Sequence, residues 1–251
     1  MKIKPKISVI MSAYNVEKYI AESIESILNQ TFRDFELIII NDASTDKTLD
    51  IIKGFMKKDK RLKLINNKKN LYATISRNKA LRIAKGVYIA IQDGDDISLP
   101  VRLSLQNKYL DKHKDIFLVG SGIIKISADG SYLDKRMPIC SKILIKLMLP
   151  IRNQIYHPSV MFRNKGCLYR NKIYYAEDYD LYLVLISNGL KLANLREYLV
   201  KYRILNSSVS NSKRKQQDLF AEKAKEFYKQ RKKIGKDKYN QFNPQEISKI
   251  N

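Results

Sequence analysis

The chain has 251 residues, 44% of them apolar, and its 48 Lys and Arg outnumber its 25 Asp and Glu for a formal net charge of +23. This length and apolar content suit one large domain with a buried core, or one domain with an appendage. The positive charge favours a polyanionic partner such as nucleic acid, anionic lipid or a phosphate-bearing substrate, but it also fits a chain that is rich in Lys throughout.

Several classes of protein are excluded at this point. No run of about 18 uncharged apolar residues occurs, and the N-terminal sequence lacks a signal-peptide cleavage site, so we expect a cytoplasmic protein without a membrane span. Cys140 and Cys167 are the only cysteines and lack CxxC spacing, which argues against a structural zinc site or a disulfide framework. No GxSxG turn is present to position the serine of a hydrolase triad.

Apolar segments alternate with helical patterns over the first hundred residues. Strands are predicted at 7–15, 35–42, 61–67 and 87–93, and helices at 16–28, 45–58 and 72–85. Because the strands are apolar on both faces and single helices join them, they predict a parallel sheet covered by helices on both sides. Ligands bind such sheets at the carboxyl ends of the strands, so the polar residues there should line one crevice. These residues are Ser12, Tyr14, Asn15, Asn41, Asp42, Asp93, Asp95 and Asp96.

The pattern changes after residue 100. It predicts a helix near 102–113, short strands around 117–127 and 159–163, a helix from Glu177 and a closing loop at 202–212. Residues 213–238 follow with eleven Lys or Arg and four Asp or Glu, and Phe220, Ala224, Phe227 and Tyr228 share one helical face. Two interpretations stay open: a helix packed on the main domain with a solvated basic side, or an interfacial helix on an anionic membrane.

The acidic stretch "IAIQDGDDISLP" places Asp93, Asp95 and Asp96 directly after an apolar strand. Like charges this close repel one another unless a cation lies between them, so the stretch predicts a divalent metal. A calcium loop starting at Asp93 is excluded because its twelfth position is Ser104 rather than Glu. Neither a P-loop nor a complete GxGxxG occurs, so bound phosphates would be held by metal and side chains. His157 is either a structural histidine or an additional metal ligand.

Five segments together resemble a known family. The segments "ISVIMSAYN", "QTFRDFELIIINDASTD", "SRNKAL", "GVYIAIQDGDDISLP" and "AEDYDLYLVL" are similar, in order and spacing, to the family 2 glycosyltransferases with the GT-A fold. The resemblance covers residues 5–205 and implies an α/β fold with a Rossmann-like, mostly parallel central sheet. It implies a domain over 1–205, with a nucleotide-binding half at 1–100 and an acceptor-binding half at 101–205, before a basic helical tail at 206–251.

The resemblance also implies roles for residues on the nucleotide side. Ser12, Tyr14 and Asn15 would line the nucleotide pocket, and Arg77 would lie near the pyrophosphate. Asp42 would accept a hydrogen bond from a base imide, which favours a UDP- or dTDP-sugar; the alternative is that Asp42 or Ser44 only caps the helix near Thr45. Tyr72 stands where many relatives have glycine, and its bulk would reshape the donor pocket.

The remaining implied roles concern the reaction. Asp95 would bind Mn²⁺ or Mg²⁺, with Asp93 touching the ribose or a metal-bound water and His157 as a further ligand. Gly94 would give the sugar nucleotide room to approach, and Glu177 would lie near the sugars. Asp178 would act as the general base of an inverting transfer, although a carboxylate there could serve only the helix dipole.

The partners that the resemblance implies are a nucleotide-sugar donor and a glycan or lipid-linked acceptor, with an anionic membrane surface as a further partner of 213–238. No nucleic acid is expected. Two rival functions stay open: a nucleotidyltransferase, which would also pair aspartates with a metal, and a non-enzymatic protein that binds nucleic acid or another polyanion through its positive charge.

Overall fold

The computed structural model describes residues 4–205 and 213–248. The strands are β1 Ile7–Ala13, β2 Phe35–Asn41, β3 Leu62–Asn66, β4 Tyr88–Asp93, β5 Ile97–Ser98, β6 Ile116–Ile126, β7 Tyr132–Arg136, β8 Met161–Arg163 and β9 Lys191–Arg203. The helices are α1 Ile20–Leu28, α2 Thr48–Lys58, α3 Tyr72–Ile83, α4 Arg102–Lys112, α5 Lys142–Met148, α6 Glu177–Ser187, α7 Arg214–Ile234 and α8 Gln245–Ser248. Short 3-10 helices lie at His157–Ser159 and Tyr239–Gln241.

The strands form one sheet in the order β3-β2-β1-β4-β8-β6-β9-β5, with β7 paired to β6. The first four strands are parallel, as the alternation of strands and helices predicts. β8 runs antiparallel to both β4 and β6, so the sheet is mixed beyond the first four strands. The parallel register sets Ser12 opposite Asp93 and Ala13 opposite Asn41, which brings the carboxyl ends of β1, β2 and β4 to the same edge.

The core has one layer on each face of the sheet. Ile10, Ile38 and Ile91 pack on one face with residues of α3 and α6. Val9 and Leu37, one position away along the same strands, pack on the other face with residues of α1, α2 and α4. Successive side chains of a strand point to opposite faces, and here both faces are covered, so the strands are apolar at nearly every position.

The basic segment is packed on the domain. Phe220, Ala224 and Phe227 of α7 are buried, and the two phenylalanines belong to a cluster with Ile173, Ala176, Phe242 and Ile247. Asp237, just beyond the helix, accepts hydrogen bonds from Arg170 of the main domain and from Arg231 of α7. The packed-helix interpretation is therefore correct, and the interfacial one is wrong for the apolar side, because that side already faces the protein.

Three other features differ from the sequence predictions. β9 is the longest strand and, like β5, β7 and α5, is not among the predicted elements, because it mixes polar and apolar residues without clear alternation. Tyr202 and Arg203 end β9 and do not belong to a closing loop; residues 206–212 of that predicted loop lie outside the described residues. Helix α2 begins at Thr48 rather than near 45. Within residues 4–205 and 213–248, no helix is both long enough and apolar enough to cross a bilayer.

Candidate active site

A cleft of about 850 Å³ opens at the carboxyl ends of β1, β2 and β4. Its wall includes eleven of the residues that the sequence predicts for the site: Ser12, Tyr14, Asn15, Asp42, Arg77, Asp93, Gly94, Asp95, His157, Glu177 and Asp178. Asn41 and Asp96, which were also expected to line this crevice, are buried and do not line it. Residues as far apart as 12 and 178 therefore meet in one place. The strand ends supply one wall, and α6 with the segment before it supplies the other.

Arg77 joins the two walls. From α3 its Nη2 donates to Asp93 Oδ1 at 2.8 Å, and its Nη1 donates to Glu177 Oε1 at 2.8 Å. The side chain is 8% exposed; burial disfavours its charge, but the two carboxylates outweigh that effect and raise its pKa. Two guanidinium nitrogens are thus held by carboxylates, and Nε has no partner among the described residues. Arg77 thus bridges the two walls, and its predicted place near the pyrophosphate, like that of Glu177 near the sugars, stays a prediction.

Asp178 lies in the first turn of α6, partly exposed to the cleft. Asn153 Nδ2 donates to its Oδ2 at 3.2 Å. Burial, and then the charge of Glu177, raise the pKa of Asp178 to about 7. A carboxylate placed only to interact with the helix dipole would have a lowered pKa, so the dipole alone does not account for this residue. Its pKa suits a group that takes up a proton near neutral pH.

The three carboxylates after β4 have different surroundings. Asp93 is paired with Arg77, whereas burial and the charge of Asp93 raise the pKa of Asp95 to about 6. Asp96 is fully buried, and its Oδ1 accepts the backbone N–H of Arg203 at 2.8 Å. Asp96 therefore anchors the end of β9, while Asp93 and Asp95 line the cleft.

The cleft suits a metal ion that shares its ligands with a bound substrate, but not one that is enclosed by protein side chains alone. Across the described ranges, no cluster of three or more His, Cys, Asp or Glu could enclose a metal ion. Asp93 and Asp95 nevertheless offer the hard oxygen ligands that Mg²⁺ and Mn²⁺ prefer. Mg²⁺ is commonly held by one or two carboxylates while substrate phosphates and water complete its coordination. These residues fit an ion that is held jointly with a diphosphate.

His157 does not fit among the metal ligands, which corrects the sequence prediction. Its Nδ1 is 2.8 Å from Tyr182 Oη and its Nε2 is 3.1 Å from Tyr169 Oη, so both ring nitrogens have hydrogen-bond partners. Burial, and then the nearby Arg77, lower its pKa well below the usual value, so the ring is neutral. A neutral imidazole can donate at one nitrogen and accept at the other, and two tyrosine hydroxyls satisfy it. His157 is a structural residue in this wall.

Gly94 lies in close contact with the protein backbone, which is not the reason predicted for a glycine at this position. A Cβ at this position would lie 2.8 Å from the backbone oxygen of Ser12, and Gly94 N donates to that same oxygen at 2.9 Å. The glycine is therefore required for close contact between the chain after β4 and the end of β1. Room for a sugar is not what the missing side chain provides.

Asp42 accepts hydrogen bonds from residues that precede α3 and from its early turns. Its Oδ1 accepts from Asn67 Nδ2, from the backbone N–H of Leu71 and from Ser76 Oγ, at 2.8 to 3.0 Å. None of the described residues donates to Oδ2. The helix-capping alternative for Asp42 is wrong, because Asp46 accepts the N–H of Thr48 at the start of α2.

A comparison with protein-family models settles the class of the protein. The model of glycosyl transferase family 2 matches residues 8–175, about two thirds of the chain. The chain belongs to glycosyl transferase family 2. The matched region contains the strand-end residues 12–15, 41–42 and 93–96 and ends just before Glu177 and Asp178.

Relatives cover most of this family 2 enzyme. An uncharacterized glycosyltransferase of Methanocaldococcus jannaschii is 42% identical over 87% of this chain and 77% of its own length. The O-antigen biosynthesis glycosyltransferase WbnJ of Escherichia coli is 34% identical over 92% of each chain. The UDP-Glc:alpha-D-GlcNAc-diphosphoundecaprenol beta-1,3-glucosyltransferase WfaP of Escherichia coli is 34% identical over 84% of this chain and 82% of its own length.

Solved structures of other glycosyltransferases share the fold. TarS of S. aureus in complex with UDP-GlcNAc superposes with a TM-score of 0.66 at 24% identity, over 82% of this chain and 61% of the TarS chain. The mannosyltransferase PcManGT of Pyrobaculum calidifontis, in complex with GDP-Man and Mn²⁺, gives 0.67 at 16% identity over 88% of this chain and 64% of its own. The predicted GT-A fold is confirmed, and this chain spans less than two thirds of either structure.

The backbone of this glycosyltransferase is strained around the cleft. Among the described residues, four that are not glycine have positive φ: Asn15, Ala43, Tyr72 and Tyr175. Three of them line the cleft, and Ala43 follows Asp42 directly. Such strain is costly and is found where the surrounding structure serves a site. Tyr72 has φ of 62°, a left-handed conformation that glycine adopts without steric cost.

Some residues of the site are missing from the sequence predictions. Asn153 binds the Asp178 carboxylate, and Arg203 donates from Nε to the backbone oxygen of Asp95 at 2.9 Å. Tyr174 and Tyr175 line the mouth of the cleft, and the Tyr174 ring lies 5.8 Å from that of Tyr72. Nothing local in the sequence marks Asn153. For the tyrosines, the pair "YY" two residues before Glu177 is the one available signal.

Proposed function

We propose that this enzyme transfers a sugar from a UDP- or dTDP-sugar to a hydroxyl of a lipid-diphosphate-linked acceptor, with inversion at the anomeric carbon, during cell-surface polysaccharide synthesis. The observation that carries the proposal is the cleft itself, in which Asp93 and Asp95 face the same space as the partly exposed Asp178. The activity for which WfaP is named and the O-antigen role of WbnJ support the donor and acceptor classes.

The nucleotide would be held at the strand ends. The Oδ2 atom of Asp42 is available to accept a hydrogen bond from N3–H of uracil or thymine. Cytosine carries no hydrogen on N3 and could not donate this bond. The buried Ser12 hydroxyl has no partner among the described residues and would bind the nucleotide as well. Tyr14, 49% exposed on the same wall, offers an aromatic face for the base.

Asp95 and Asp93 would hold a Mn²⁺ or Mg²⁺ ion together with the diphosphate. When bound, this ion neutralises charge that develops on the leaving nucleoside diphosphate. The mannosyltransferase structure that holds Mn²⁺ supports a divalent ion in this fold. Arg77 keeps Asp93 oriented and its charge compensated before the donor arrives.

Asp178 would act as the general base. The acceptor hydroxyl oxygen forms a bond to the anomeric carbon while the bond from that carbon to the diphosphate oxygen breaks. The electron pair leaves with the nucleoside diphosphate, and the hydroxyl proton passes to Asp178. One displacement from the face opposite the leaving group inverts the anomeric configuration, and no covalent sugar intermediate is required. The proposed place of action is the cytoplasmic face of the plasma membrane.

Calorimetric titration tests the donor side. UDP, dTDP, GDP and CMP are titrated into the protein with and without Mn²⁺, and into Asp95→Ala and the control Asp134→Ala, an exposed carboxylate on β7. We expect manganese-dependent binding of UDP or dTDP that Asp95→Ala abolishes and Asp134→Ala keeps. Preferential binding of GDP, or no nucleotide binding with Mn²⁺ present, would contradict the proposed donor class.

Product analysis tests the transfer itself. The protein is incubated with UDP-glucose, Mn²⁺ and a short-chain lipid-diphosphate GlcNAc acceptor, and the new linkage is examined by NMR. The proposal requires transfer of a sugar and a β-linkage from the α-linked donor. Retention of configuration, or release of pyrophosphate instead of a nucleoside diphosphate, would overturn it.

A further inference from the structure

Helix α5 presents two apolar faces, and the protein covers only one. Ile145 and Leu149 are buried against the domain. The other face carries four exposed apolar side chains: Ile143 (73% exposed), Leu144 (48%), Leu147 (61%) and Ile151 (62%), the last from the turn that continues the helix. At about 100° per residue these four lie on one side of the helix. Scattered exposed leucines are ordinary in proteins, but a contiguous apolar face marks an interaction surface.

The charged side chains that flank this face along α5 and the turn after it are all basic. Lys142 and Lys146 flank it on one side and Arg152 on the other, at the angles that helical spacing gives them. From residue 135 to 176 the sequence contains nine Lys or Arg and no Asp or Glu. An apolar stripe between basic residues is the pattern of a helix that rests in the interface of an anionic bilayer.

The α5 face also adjoins the catalytic wall. A second cleft of about 400 Å³ is lined by Ile151, Arg152, Asn153 and Asp178 on one side, and by α7 residues that include Asp218 and Glu222 on the other. It shares Asn153 and Asp178 with the main cleft. Tyr179 Oη of α6 donates to the backbone oxygen of Leu149 at 2.7 Å, which ties the end of α5 to the helix that carries Asp178.

We propose that the exposed face of α5 docks on the surface of an anionic lipid bilayer, and that the second cleft leads from this surface to Asp178. The route for the acceptor rests on the proposed function, because it needs a lipid-borne substrate; the docking does not. Ile143, Leu144, Leu147 and Ile151 enter the headgroup region, while Lys142, Lys146 and Arg152 contact lipid phosphates. The apolar side of α7 is already buried, so that helix adds only charge.

A second copy of the chain is the less favoured occupant. A two-fold interface would set the α5 faces against each other, together with the basic residues that flank both. Like charges brought together at an interface repel one another and disfavour it, whereas phosphate headgroups neutralise them. Charge complementarity therefore selects the anionic bilayer.

Vesicle sedimentation tests the docking. The full chain is mixed with phosphatidylglycerol/phosphatidylethanolamine vesicles and, separately, with phosphatidylcholine vesicles. Wild type is compared with two double variants. The α5 variant carries Ile143→Glu and Leu147→Glu, and the control carries Ile83→Glu and Val87→Glu, which alter exposed apolar residues elsewhere. We expect the wild type and the control to bind the anionic vesicles, and the α5 variant to lose at least about tenfold in partitioning.

Each outcome decides the matter. Equal binding of the wild type and the α5 variant, or no binding by the wild type, overturns the docking. A wild-type dimer that becomes a monomer in the α5 variant, with vesicle binding unchanged, assigns the face to a second copy instead. UDP titration into the same samples separates the two proposals: the α5 variant should bind UDP like the wild type, which also shows that it is folded. Failure of UDP to bind the wild type contradicts the proposed function and leaves the docking result valid.

Discussion

The two walls of the cleft are built in different ways. The proposed nucleotide wall consists of strand ends, and the parallel register of β1 and β4 places Ser12 beside Asp93. The wall that carries Asp178 comes from α6 and the segment around Asn153, more than fifty residues further along the chain. Arg77 joins them with one ion pair to each wall. The difference suggests that binding of the donor and turnover can be impaired separately, each by changes to one wall.

Asp178→Asn should produce the largest effect. The amide cannot accept the proton of the acceptor hydroxyl, so we expect kcat to fall by about 10³-fold. The nucleotide wall is unchanged, so the Kd of UDP should stay within about twofold of the wild-type value. Steady-state kinetics and calorimetry on the same preparation measure both quantities. A loss of UDP affinity that parallels the loss of kcat would show that the walls do not act separately.

Arg77→Ala should affect both walls through stability. Removing the guanidinium leaves the Asp93 and Glu177 carboxylates without their buried counterion, so the free energy of unfolding should fall by about 3–5 kcal/mol. Arg196→Ala, an exposed arginine on β9, is the matched control and should change it by less than about 0.5 kcal/mol. Urea denaturation gives both values. If Arg77→Ala does not fold, Arg77→Lys takes its place. Lysine keeps the positive charge but lacks the two separate nitrogens that bind the two carboxylates, so its free energy of unfolding should fall by less.

The pH dependence of kcat/KM should report Asp178. Its pKa is raised to about 7, so below that pH the carboxyl is protonated and cannot act as a base. We expect kcat/KM to rise about tenfold per pH unit up to about pH 7 and then to level off. Residual activity of Asp178→Asn should lack this step. A wild-type profile that is flat between pH 5.5 and 8 would contradict the assigned base.

The same pKa makes an opposite prediction for stability. The folded state retains a proton on Asp178 up to about pH 7, whereas the unfolded chain releases it near the ordinary value of 3.8. The contribution of this group to stability is therefore lost as the pH rises towards 7. Asp178→Asn should be more stable than the wild type at pH 8, with a smaller difference at pH 4, by urea denaturation. Equal stability at both pH values would show that the carboxyl is not desolvated in the folded protein.

Tyr72→Gly should have the smallest effect and should change binding and stability in opposite directions. Glycine relieves the left-handed backbone, so the free energy of unfolding should rise by up to about 1 kcal/mol. Loss of the ring, 57% exposed at the cleft, should weaken UDP binding by about tenfold if it contacts the base. Tyr132→Gly, an exposed strand residue outside the cleft with no positive φ, should lower stability and leave binding unchanged. Unchanged UDP affinity in Tyr72→Gly would exclude this tyrosine from the nucleotide site.

Helices α5 and α7 show why charge and periodicity alone were misleading about the membrane. Both helices are basic and both carry an apolar face. The sequence pattern offered an interfacial position on a membrane, beside a packed position, only for the longer and more basic α7. The structure buries Phe220 and Phe227 of α7 and exposes Ile143 and Leu147 of α5. Which apolar face is covered depends on what other segments pack against it, and a single sequence window does not contain that information.

The sequence by itself determined the parallel half of the sheet. Apolar strands such as 35–41, buried on both faces, together with the helices that connect them, specify a parallel sheet, and the polar residues that end those strands must then meet at one edge. The resemblance to family 2 glycosyltransferases marked Asp178 as a candidate base, and that role stays a prediction. The strand and helix patterns are local, because each depends on residues within a few positions of one another.

Only the tertiary structure decided the partners of these residues. In the folded protein Arg77 pairs with two carboxylates, and tyrosine hydroxyls are the partners of both ring nitrogens of His157. Gly94 lies against the backbone of Ser12. The fold also brought Asn153 to the Asp178 carboxylate. The physical reason is that a side chain's hydrogen bonds and pKa are set by neighbours in space, and here those neighbours lie between about ten and a hundred residues away in sequence.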